Sequence, residues 1–165
     1  MATGCTICPH TMLSHAKMLP SVAGLAVAAL GLTAAGGHLA AQARTYAARL
    51  SPVPITVAMQ DTVAGQGAAT ASLTGSTLTI EGTFEGLKSA ATVARLHLAP
   101  RGVRGPAIGD LTVARATSGV VRGAVDLTDR QRQALEKSAL YIQIHSEKAP
   151  DGNLWGWLVP QEVTR

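Results

Sequence analysis

The chain has 165 residues and a mass of 16.9 kDa, with 47% hydrophobic and 15% charged residues. That composition fits one packed domain with an appended segment and excludes disorder as the default. All 10 acidic residues and every Lys or Arg except Lys17 fall in residues 44–165, dispersed rather than clustered. A nucleic-acid arm is therefore excluded, and Tyr46, Phe84, Tyr141, Trp155 and Trp157 are too few aromatics for a single-strand stacking platform.

The N-terminal segment decides the compartment. Residues 1–17 are polar, with Lys17 the one full positive charge, and residues 19–32 are apolar. Small residues follow to Ala43, where Ala41-Gln42-Ala43 precedes Arg44 in the small-x-small pattern of a signal-peptidase site. Met12 is the preferred start, because it keeps Lys17 in the basic region. The competing reading is an uncleaved hydrophobic helix: residues 19–43 are long enough to cross a bilayer, although their Ala/Gly content makes insertion marginal. Under either reading residues 1–43 are a signal peptide or membrane anchor, and residues 44–165 form an extracytoplasmic domain, periplasmic or at the cell surface.

Cys5 and Cys8 have Cys-x-x-Cys spacing, but no second pair completes a zinc set. Pro9 stands where haem attachment needs a histidine. Residues 44–165 contain no cysteine, so no disulfide staples them. His38 could serve as a ligand only in a retained membrane helix.

From Ser51 onward, short alternating runs predict strands at residues 69–73, 77–84, 92–98, 108–114, 120–126, 139–145 and 154–159. Gly, Pro and Ser separate them, including a Pro150-Asp151-Gly152 turn before the last strand. One helix interrupts the series. Thr128 with Gln131 makes a capping box, Asp129 lies in the first turn, and the helix ends near Ser138. Runs of this kind predict an all-β antiparallel sandwich or barrel.

Two stretches resemble CHRD (chordin-like) domains of the bacterial exported type. The first is Ala94-Arg95-Leu96-His97-Leu98-Ala99 with the following Gly105-Pro106; the second is Tyr141-Ile142-Gln143-Ile144-His145-Ser146 leading into Pro150-Asp151-Gly152-Asn153-Leu154-Trp155-Gly156. The resemblance covers most of residues 46–160 and implies an extracytoplasmic immunoglobulin-like β-sandwich or barrel. Two departures stand out. Arg95 replaces the first histidine of the family's His-x-His, and Trp155-Gly156-Trp157 replaces its Arg-Gly-Gln.

His97 and His145 are the only histidines after residue 43. They suit either a copper or zinc pair or hydrogen-bonded structural roles. No Ser lies in a Gly-x-Ser-x-Gly elbow, and no glycine-rich phosphate loop precedes a helix, so the expectation is not an enzyme. Arg95, Arg101, Arg104, Arg115 and Arg122 form a dense basic set suited to an acidic partner or lipid headgroups, or simply to solvated positions. Strand alternation sends Leu96, Leu98, Ile142, Ile144, Leu154 and Leu158 to the core and puts Trp155 and Trp157 on the opposite face with Tyr141, Gln143 and His145. That face is expected to dock a protein partner or the membrane interface; otherwise residues 53–67 fold over it. The leading expectation is a non-enzymatic exported binding or structural module, tethered through residues 19–43 as an accessory subunit of a membrane complex. Its partner contacts would be Trp155, Trp157, Arg95, Arg101 and Arg104. The alternative is a metal-binding or redox protein using His97 and His145.

Overall fold

A computed structural model describes residues 43–161. Residues 1–42, with Cys5, Cys8, His38 and the expected hydrophobic helix, lie outside the described residues.

Nine strands form the domain: β1 (Arg44–Pro52), β2 (Gln66–Thr74), β3 (Thr77–Glu85), β4 (Ala91–Leu98), β5 (Ala107–Val113), β6 (Gly119–Asp126), β7 (Leu140–Ser146), β8 (Ala149–Trp157) and the short β9 (Val159–Pro160). All pairings are antiparallel, in the order β2-β3-β6-β5-β4-β7-β8-β1, and β1 pairs again with β2. The ring therefore closes. Of the two expected architectures, the chain adopts the barrel, which leaves no long unpaired edge.

Two strands divide their pairing between neighbours. β1 pairs with β2 through Leu50 and then hands Ser51 and Pro52 to β8. β5 pairs with β4 near its start and gives only Thr112 and Val113 to β6. Where β1 meets β8, Gly156 is required, because a Cβ there would collide with the Arg49 carbonyl. The interior is filled from all sides, including Leu50, Leu78, Ile80, Leu96, Ile142, Ile144, Leu154 and Leu158, each fully buried. The aliphatic face predicted for β4, β7 and β8 is thus the core.

The helix α1 (Asp129–Glu136) forms as expected. Thr128 caps it, with both halves of the Thr128–Gln131 box present, and Leu135 buries its apolar side under the barrel. Two expectations are corrected. β1 had no predicted counterpart. The predicted Pro150-Asp151-Gly152 turn is instead part of β8, and the chain reverses at Glu147 and Lys148. A register shift between Ile144 and Ser146 absorbs the kinked Pro-Asp-Gly start of that strand.

Candidate functional site

The outward faces of β4, β7 and β8 carry the unusual side chains. Register sets them in rows: His97 opposite Tyr141, opposite Trp157; Arg95 opposite Gln143, opposite Trp155; and Val93 opposite His145. The rings form a continuous layer. His97 stacks on Tyr141 with centroids 4.9 Å apart, Tyr141 meets Trp157 at 4.9 Å, and Trp155 and Trp157 meet at 4.6 Å.

This layer is a second core rather than a solvated face. Val53 and Val63, from the segment joining β1 to β2, are buried in one cluster with Tyr141, Ala149, Trp155 and Ala99, and Met59 and Trp157 pack against it. A short 3-10 turn at Val57–Met59 lets this segment lie across the sheet, and the Val53 N–H bonds the Asn153 carbonyl. Trp155 is only 7% exposed. The Trp157 indole N–H donates to the Ala99 carbonyl at 3.2 Å. The face assignment of the tryptophans holds, but their expected role as the docking surface is corrected: the chain's own segment covers them, because indoles on a barrel's outer face are costly to leave in water.

The β4–β5 loop closes the other side of the layer. The Gly105 N–H donates to the Tyr141 hydroxyl (3.1 Å), and the Gly105 carbonyl accepts from His97 Nδ1 (2.9 Å). The Asp151 carbonyl accepts from both the Arg104 guanidinium (2.7 Å) and the Gln143 amide (2.9 Å). Gly152, at φ 128, is needed beneath Gln143, whose amide would collide with any Cβ there.

The two histidines share one arrangement. His145 Nδ1 donates to the Pro150 carbonyl at 2.7 Å, as His97 does to Gly105. In both rings the opposite nitrogen, Nε2, is buried without a hydrogen-bond partner, as is Asn153 Oδ1. Both also sit at register shifts, His97 in the β4–β5 ladder and His145 in the β7–β8 ladder, where a bulge re-aims a side chain. Burial pushes the His97 pKa below its ordinary 6.5; the Gly105 hydrogen bond opposes this, and the charges of His145 and Arg95 add to the lowering.

The arginines do not form one patch. Arg95 pairs with Asp110 on β5 at 3.0 Å, Arg115 lies beyond β5, and Arg122 sits on β6 opposite Glu81. Arg101 and Arg104 remain together on the exposed β4–β5 loop, beside Val103, which is 52% exposed. On the covering segment Ile55 and Val57 are exposed at 48% and 84%. Sequence reading missed these three aliphatics, because a loop apolar residue has no periodicity to mark it. Their signal is position, on the two loops that the aromatic layer supports.

Among the described residues no helix is long and apolar enough to cross a membrane. The CHRD domain family model matches residues 46–158, which span both halves of the barrel and the whole aromatic layer. No curated protein matches the chain.

Proposed function

The chain belongs to the CHRD domain family, and from that membership we propose that it is a non-enzymatic, exported protein-binding module. Residues 1–43 direct it out of the cytoplasm, as signal peptide or as anchor. The contact surface is formed by the two loops over the aromatic layer. Ile55, Val57 and Val103 supply its apolar centre, and Arg101 and Arg104 its charged rim.

The observation that carries this reading is an exposed aliphatic set on rigidly underpinned loops. Loops presented on a stable scaffold are the usual place for recognition, and exposed apolar residues rimmed by charge mark interaction sites. The arginines give the partner its chemistry. Arg104 donates only to a neutral carbonyl, and Arg101 makes no ion pair among the described residues. Both charges are free to meet carboxylates, so the fitting partner is a protein surface with an apolar patch and an acidic border. As an anchored subunit, the chain would bring this surface to a membrane complex.

The test is a triple variant, Val57→Asp with Arg101→Glu and Arg104→Glu, purified from its native membrane or secreted fraction. The proposal expects an unchanged melting temperature and loss of the chains that co-purify with the unsubstituted protein. Retention of those chains by the folded variant would refute it.

A further inference from the structure

We propose that Met59 is an oxidant-sensitive latch: conversion of its thioether to a sulfoxide releases the segment between β1 and β2 from the aromatic layer. The latch stands on the packing of that segment; only its consequence for docking rests on the binding-module reading.

The segment is held down at few points. Val53 and Val63 are buried at its ends, and between them every residue except Met59 and Thr62 is exposed. Met59 is the one side chain between the two valines that packs against their cluster with Tyr141 and Trp155. Its backbone knots the same stretch together. The Met59 N–H donates to the Thr56 carbonyl, and the Met59 carbonyl accepts from the N–H groups of Thr62 and Val63, each at 3.0 Å. The Thr62 hydroxyl donates to the same carbonyl at 3.1 Å. One residue therefore fixes both the turn and its seat on the layer.

The chemistry of that residue singles it out. Met59 is the only sulfur-containing residue in residues 43–161. A thioether suits the margin of an aromatic cluster, because it is apolar, polarisable and adaptable in shape. Met59 is half-buried, whereas Val53, Val63 and Trp155 are buried, so a small oxidant reaches it from solvent.

Hydrogen peroxide is such an oxidant. Its O–O bond breaks as the sulfur gives up an electron pair; one oxygen bonds to the sulfur, and the other leaves with both protons as water. The product is a polar acceptor in a place built for apolar packing. The nearest backbone donors cannot satisfy it, because the N–H groups of Met59, Gln60, Thr62 and Val63 are already bonded within the turn. The sulfoxide oxygen turns to water instead, and the middle of the segment leaves the layer with it. Ile55 and Val57 ride on that segment, so oxidation removes them from the docking surface. Enzymatic reduction of the sulfoxide restores them.

The full chain is treated with hydrogen peroxide and digested with trypsin, which releases residues 50–88 with Met59 as their only sulfur. This fragment should gain one oxygen in the folded chain. Thermolysin should then cut the folded chain within residues 53–65 about 10-fold faster, the order set by an unpaired polar oxygen at an apolar site. A methionine sulfoxide reductase with thiol should return the slow rate. Met59→Leu, close in volume, should cut slowly with or without peroxide, and Met59→Gln should cut fast without it. Should a variant fail to fold, oxidation and reduction of the parent decide alone. A fragment oxidised only after unfolding in urea, an unchanged cutting rate in the oxidised chain, or an equal acceleration in Met59→Leu would overturn the latch. Chains that co-purify with the parent should be lost on oxidation and kept by peroxide-treated Met59→Leu. Their retention on an oxidised, opened chain would overturn the docking surface and leave the latch standing.

Discussion

Replacing Trp155 with alanine tests whether the aromatic layer is a load-carrying second core. The indole is 7% exposed, meets Trp157 at 4.6 Å and Tyr141 at 6.0 Å edge-on, and lies in the cluster that holds Val53 and Val63. Removal of a buried tryptophan costs about 3–5 kcal/mol, of which each aromatic contact accounts for about 0.5–1.5 kcal/mol. A domain of this size has a total stability of about 5–15 kcal/mol, so the loss is a large fraction of the whole. With a urea slope of about 2 kcal/mol per molar, the unfolding midpoint should fall by about 2 M. The cover should loosen first, since Val53, Met59 and Val63 lose their shared neighbour; limited proteolysis should then cut within residues 53–65 before the barrel unfolds. A midpoint within about 0.5 M of the parent, with no new cleavage in that segment, would show that Trp155 is not core and would refute the reasoning.

Two further outcomes follow from the site and the helix. The folded His97 pKa lies below its ordinary 6.5, so the unfolded chain binds that proton more readily than the folded one. The His97 contribution to stability is therefore present above pH 6.5 and is lost as pH falls through the folded pKa; melting temperatures from about pH 7.5 down to about pH 5 should decline more steeply for the parent than for His97→Gln, and parallel curves would contradict the assignment. Thr128→Ala removes the side chain that accepts the Gln131 N–H and should cost about 1 kcal/mol in denaturant unfolding, with no change in binding, because this end of the helix sits by the β2–β3 turn, where the Leu127 N–H bonds the Ser76 carbonyl.

Much of the fold was legible where the signal is local. The Thr128–Gln131 box places a helix start by itself, and the alternation of Ile142 and Ile144 against Tyr141, Gln143 and His145 separates two faces without tertiary knowledge. β1 carries the same alternation in Tyr46, Ala48 and Leu50, but its two alanines have weak strand propensity, and it directly follows the small-residue run that ends at Ala43. Pro150-Asp151-Gly152 carries strong turn chemistry that tertiary pairing overrides, because β8 must kink there for Asp151 to meet Gln143 and Arg104.

The site was half legible for a related reason. Strand period assigns Trp155 and Trp157 to the outward face, yet period cannot say what lies on that face. The cover comes from residues about 100 positions earlier in the chain, beyond any local pattern. The unpaired Nε2 atoms of His97 and His145 depend likewise on carbonyls of Gly105 and Pro150 brought in by loop closure.

The most direct test of the central claim is site-resolved photocrosslinking in the native cell envelope. A photoreactive amino acid is placed in turn at Val57 and Val103 on the supported loops and at Thr79, which is exposed on β3. The account predicts a discrete crosslinked partner from positions 57 and 103, abolished by Arg101→Glu with Arg104→Glu, and none from position 79. Crosslinks of equal yield at all three positions, or from position 79 alone, would contradict it.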